Sequence, residues 1–204
     1  MPRSGRGLIR PLHLAPLVGR SQDRLRCGVA KDQGTTRPIG VSACEDKLVQ
    51  DALRAVLEAI YEQDFLSCSY GFRPKRSARD AVRALDRAVP RGEVSWILEA
   101  DIQSFFDSVD RTALGEMLQV RVADGALRRL LGKCLHVGVL DGAEYSEPDV
   151  GTAQGSVLSP LLGNVYLHYG LDLWFERVVK PRLRGEGAPP PVLRRLHHGV
   201  RATR

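Results

Sequence analysis

No apolar run in the sequence approaches ~18 residues, which excludes an ordinary membrane-spanning helix. No CxxC pair occurs. Cys27, Cys44, Cys68 and Cys134 stand apart, so neither a zinc ribbon nor a thioredoxin-type site is indicated, and a reduced, cytoplasmic chain is the expectation. Residues 1–26 carry arginines throughout and no apolar stretch ending in a small-residue cleavage site, so no secretory signal is read. Internal repeats are absent as well. What is present is globular in composition: 204 residues, 43% apolar and 26% charged, room for one domain or slightly more. The net charge of +6 is unevenly spread. Residues 1–30 hold +5 and residues 177–204 hold +7, which leaves 31–176 at −6. The basic balance therefore sits at the two ends, and overall charge alone says little about nucleic acid.

Residues 1–30 mix Pro, Gly and Arg without a sustained period and read as a basic, poorly ordered arm. Lys31 to Val41 reads as a turn with strand-like flanks, bent at Asp32-Gln-Gly34. Ser42-x-x-Glu45 has the form of a capping box. It precedes Leu48, Val49, Ala52, Leu53, Val56, Leu57 and Ile60, one apolar side of a helix. A second helix is expected from Ser77, with Asp80 three residues on, and Ala78, Ala81, Val82, Leu85 and Val89 as its apolar side. Arg76, Arg79, Arg83 and Arg87 recur along it at spacings of three and four. They read either as a solvated face or as a ridge that follows phosphates. Pro90-Arg-Gly92 breaks this helix, and Val94 to Ala100 reads as a strand. Asp110 and Asp124 are placed to cap two further helices, Leu140 to Ala143 to turn a hairpin, and Ser156 to Phe175 to form a last helix.

Two stretches carry chemistry. Asp101 follows an apolar strand pattern, where a carboxylate is costly to bury unless paired or metal-bound, and nothing beside it needs a cap. Asp107 and Asp110 are more simply turn and cap residues. The loop Gly151-Thr-Ala-Gln-Gly155 leads into a helix, so its backbone can approach a ligand closely. No Gly-Lys-Ser/Thr follows, so it is not a P-loop.

Five motifs occur in order: Arg37-Pro-Ile-Gly40, Glu45-Asp-Lys-Leu-Val-Gln50, Tyr70-Gly-Phe-Arg-Pro-Lys-Arg-Ser-Ala78, Asp101-Ile-Gln-Ser-Phe-Phe-Asp107 and Gly151-Thr-Ala-Gln-Gly-Ser-Val-Leu-Ser-Pro160. The series closely resembles the reverse transcriptases encoded by group II introns, over about 29–185. The resemblance implies an α+β fold, the fingers (31–92) and partial palm (93–185) of a right-hand polymerase, as a small antiparallel sheet packed with helices. It implies an RNA-directed DNA polymerase acting on an RNA template (intron RNA), a DNA primer and deoxynucleoside triphosphates, with two Mg2+ ions and no membrane. Asp101 then matches the first catalytic aspartate and the carbonyl of Ile102 a backbone metal ligand. Phe106 matches the gate against a 2′-hydroxyl, the atom that separates ribo- from deoxynucleotide. Lys31 and Arg37 match residues that grip the triphosphate, and Gln154 with Gly155 the segment that packs on the nucleotide. Arg73, Arg76, Arg79 and Arg83 are the expected RNA contacts.

The pattern also departs from the family. Gln103 stands where Lys is usual, Ala153 for Pro and Ser156 for Gly. Lys180-Pro-Arg-Leu-Arg-Gly-Glu186 is present, but the aromatic-Ala-Asp-Asp motif expected after it is not, since no Asp follows to Arg204. A two-metal site needs more than one carboxylate. The expectation is a chain truncated before its second catalytic motif and inactive alone, with a non-catalytic RNA-binding fragment as the alternative. Residues 186–204 are read as an irregular basic tail. Codons for Val192 to Val200, read one base forward, permit Tyr-Tyr-Ala-Asp, which suggests a frameshift. Nothing in the sequence sets an oligomeric state.

Overall fold

The computed structural model describes residues 24–30, 36–88, 101–136, 139–141, 144–146, 151–152 and 156–182. The strand expected at 94–100 and the tail at 186–204 lie outside them, as do Lys31, Gln154 and Gly155.

Strand β1 (Arg24–Ala30) pairs antiparallel with β2 (Thr36–Val41), Cys27 facing Ile39 and Val29 facing Arg37. It thus places the end of the expected arm in a strand. A hairpin of β3 (Val139–Asp141) and β4 (Glu144–Ser146) joins the other edge of β1, in the order β2-β1-β3-β4, with β1 and β3 parallel. The expected small antiparallel sheet packed with helices is therefore corrected. The described body is mostly helical, and its short strands form a mixed ribbon whose close contacts are chiefly with one another. The reason lies in the helices, which supply most of the core among the described residues.

Helix α1 (Cys44–Tyr61) supplies Leu53, Leu57 and Tyr61 to that core. Its inward face is turned from the one the sequence suggests. Gln50 is buried, whereas Leu48 is 70% and Val56 50% exposed. The capping box does not form either. The helix starts after Ala43 without a side-chain cap, and the Ser42 hydroxyl is buried with no partner among the described residues. Helix α2 (Ala78–Ala88) does begin on a box: the Ser77 amide and hydroxyl both donate to the Asp80 carboxylate, and the Asp80 amide donates back to the hydroxyl.

A single turn, α3 (Phe105–Ser108), leads to α4 (Arg111–Gln119), capped by Asp110. Helix α5 (Gly125–Leu135) is capped by Asp124 in the same way. Helix α6 (Ser159–Leu167) is buried nearly all round, Leu161, Leu162, Gly163, Asn164, Val165 and Leu167 alike, which makes it the axis of the core. Leu114 and Leu118 of α4, Leu131 and Leu135 of α5, and the α1 residues pack with it. Full burial of such a leucine contributes about 1.5–3 kcal/mol. The Tyr61 hydroxyl donates to the Leu118 carbonyl across the core, and its burial pushes the phenol well above its ordinary range. Beyond α6 the chain continues in wider π turns, His168–Asp172 and Phe175–Val179.

Candidate active site and nucleic-acid surface

The two stretches that carry chemistry in the sequence meet in space through their backbones. Ser104 takes a left-handed conformation, φ 49°, and turns the chain into α3. The Gly151 amide then donates to the Val109 carbonyl at 2.9 Å and the Thr152 amide to the Phe106 carbonyl at 2.6 Å. Arg111 closes the seam from the side, its Nε donating to the Gly151 carbonyl at 2.8 Å. Only glycine fits at 151. Its φ is +89°, and a Cβ there would lie 2.9 Å from the Asp107 Cα and from the Asp107 and Phe106 carbonyl oxygens.

Phe106 is half-buried, its ring 5.2 Å from that of Phe105. Both rings rest on Gly163 of α6, where a Cβ would come within 3.0–3.1 Å of them. Asp101 and Ile102 are exposed just before this turn. At the other end of the Gly151 loop, the Ser156 hydroxyl and the Val157 amide donate to the side-chain carbonyl of buried Gln50, at 2.9 and 3.2 Å. The loop is thus held at Thr152 by α3 and at Ser156 by α1. Gln50 escaped the sequence reading because the apolar face was drawn one position away from it. Arg37 lies in β2, and only its backbone register is described.

The basic segment divides into two kinds of arginine. Arg73 is buried. Its Nε and Nη2 bind the Glu62 carboxylate and its Nη1 donates to the carbonyls of Leu66 and Ser69, while the guanidinium lies 5.3 Å from the Phe65 ring centre. Its donors serve the fold. Arg76 donates to the Ser67 and Ser69 carbonyls and lies over Tyr70. Arg79, Arg83 and Arg87 are exposed on α2. Asp80, 3.6 Å from Arg83, is held below the ordinary carboxylate range, first by its hydrogen bond from Ser77 and further by the charges of Arg83 and Arg79.

A second buried pair went unread. Asp172 is fully buried, 3.9 Å from the His168 ring nitrogen. That ring packs edge-on to Phe65 and Tyr169. Burial raises the Tyr169 phenol, and the Asp64 carboxylate adds to this.

Against known families, residues 29–184 match the reverse transcriptase (RNA-dependent DNA polymerase) family. The chain belongs to it. This reverse transcriptase chain is 35% identical to the group II intron-encoded protein LtrA of Lactococcus lactis subsp. cremoris, across 84% of its own length and 28% of that relative. It is 34% identical to protein YkfC of Escherichia coli K12, covering 84% of the chain and 45% of the relative. It is also 41% identical to a 91 kDa protein in the cob intron of Schizosaccharomyces pombe, covering 74% and 18%. The chain is of the group II intron type, and it spans between about a fifth and a half of these relatives. Reverse transcriptases act on nucleic acid, RNA templates included, and work with divalent metal ions. Among the described residues, no three His, Cys, Asp or Glu side chains come together. With Asp101 exposed on a loop, the described carboxylates do not make up a two-metal set. No described helix is long and apolar enough to cross a membrane.

Proposed function

We propose that this chain carries the nucleotide-selecting part of an RNA-directed DNA polymerase of group II intron type, with 31–92 serving as fingers and 93–185 as part of the palm. In the reaction, the primer 3′-oxygen attacks the α-phosphorus of a deoxynucleoside triphosphate paired to the RNA template, and pyrophosphate leaves. The observation that carries this reading is the seam of Gly151 and Thr152 with the Phe106–Val109 turn. It supports a single site in which Phe106 bars a 2′-hydroxyl, while Gln154 and Gly155, next along the same loop, pack on the nucleotide. Lys31 and Arg37 would grip the triphosphate. In this reading Asp101 is the acidic residue of the site, and Mg2+ is the ion expected in a complete enzyme. The donor set among the described residues does not fit two ions. Arg79 and Arg83 would follow template phosphates, whereas Arg73 has its donors turned inward.

A second reading, RNA binding without catalysis, is favoured by that same incomplete acidic set. The two separate in a graft. Residues 29–184 replace the matching part of the Lactococcus relative, and RNA-templated primer extension is measured. Extension that falls by at least about a thousand-fold on Asp101→Ala supports the polymerase reading. A graft that binds primer and template but adds no nucleotide favours the second.

A further inference from the structure

Phe72 is a half-exposed aromatic residue held at a backbone cost. It is 48% exposed, with φ at 51°, a left-handed conformation that a bulky residue adopts only where its surroundings enforce it. The enforcement comes from both flanks. On one side the Gly71 carbonyl accepts a 2.8 Å bond from the Nδ2 of Asn164, which is fully buried in α6. On the other, the Arg73 side chain is locked to Glu62, Leu66 and Ser69. With its neighbours pinned to the core, the residue between them is presented at a fixed place. Lys75, also left-handed at φ 58°, and Arg76, bonded to the Ser67 carbonyl, complete the tight turn. It feeds directly into the exposed arginines of α2.

Charge chooses the partner. Residues 70–88 contain six Lys and Arg against Asp80 and Asp86, inside a body (31–176) that is otherwise acidic. Of the six, only Arg73 is buried. An exposed ring at the head of a cationic track is the arrangement that binds single strands, with bases stacking on the aromatic face and phosphates following the charges. A double helix keeps its base faces inside and offers the ring nothing to stack on.

We infer that Phe72 is a base-stacking platform for single-stranded RNA, with Lys75, Arg76, Arg79 and Arg83 as its phosphate track. This rests on the reverse transcriptase reading of RNA as a substrate and adds to it the residue that grips a base. The test is fluorescence anisotropy of a short labelled single-stranded RNA with the full 204-residue chain, beside an abasic strand of equal length. Phe72→Ala weakens RNA binding about ten-fold, Phe72→Leu does the same because it keeps bulk but has no π face, and Phe72→Trp retains affinity. The slope of affinity against salt stays as in the wild type, and abasic binding is unchanged in all three variants. An unaltered circular dichroism spectrum shows that each variant is folded. The platform is overturned if RNA binds but Phe72→Ala has no effect, if Phe72→Leu binds like the wild type, or if abasic binding falls equally. A wild-type chain that binds no RNA overturns the underlying reading along with it.

Discussion

Helices α6 and α2 solve opposite problems. Helix α6 hides almost every side chain, polar Asn164 and Ser159 included, and so fixes what leans on it: the Phe105 and Phe106 rings on Gly163 and the Gly71 turn on Asn164. Among the described side chains of α2, only Ala81 is fully buried, while Val82 is 45% exposed and three arginines face water. One helix positions and the other meets a partner. Damage to α6 should therefore unfold the chain without selecting for any ligand, and damage to α2 should cost RNA affinity at nearly constant stability.

The largest expected effect is on the positioning side. Leu162→Ala removes a side chain only 2% exposed at the centre of the core, and should lower unfolding stability in urea by about 2–5 kcal/mol. Arg73→Ala strands the carbonyl of Leu66, takes from the Ser69 carbonyl one of its two donors and leaves Glu62 without its partner. About 2–3 kcal/mol is expected, less than for a wholly buried pair because the Glu62 side chain is 31% exposed. A loss below ~0.5 kcal/mol would mean that the buried arginine behaves like a surface one. On the other side of the comparison, Arg76, Arg79 and Arg83 changed together to Ala should flatten the salt dependence of RNA binding by about one unit for each phosphate they neutralise in the wild type. An unchanged slope returns the stripe to a merely solvated face.

The smallest effect concerns acid. Asp80 is held below its ordinary value of 3.8, so the capping it provides is present above that pH and is lost as pH falls through its lower folded value. Helicity should therefore dip slightly below pH 3.8, and Asp80→Asn should abolish that dip.

The same contrast decides what could be read from sequence. Local chemistry was legible for the most part, the unformed box at Ser42 apart. The Ser77 and Asp80 box, the Asp110 and Asp124 caps and the hairpin turn after Leu140 need only neighbours along the chain. Tertiary placement was not. The α1 spacing revealed a helix but not which side faces α6, so Gln50 was passed over and Leu48 and Val56 were counted inside. Arg73 was grouped with the other arginines because its acceptors lie four to eleven residues upstream and are brought to it by the loop. Asp172 is buried by the wider turns after Leu167, which no spacing in the sequence announces. Of the proposed site, the motif order pointed to Asp101 and Phe106, but the backbone seam at Gly151 is visible only in three dimensions.

The central claim is that this seam joins two distant stretches of sequence into one nucleotide-selecting site. It is tested most directly by the preference of the grafted enzyme for deoxy- over ribonucleoside triphosphates when it carries Phe106→Val. The account expects that preference to fall by at least about ten-fold while DNA synthesis continues, since a ring facing a 2′-hydroxyl discriminates by its bulk. A preference left intact in an active Phe106→Val graft would contradict it.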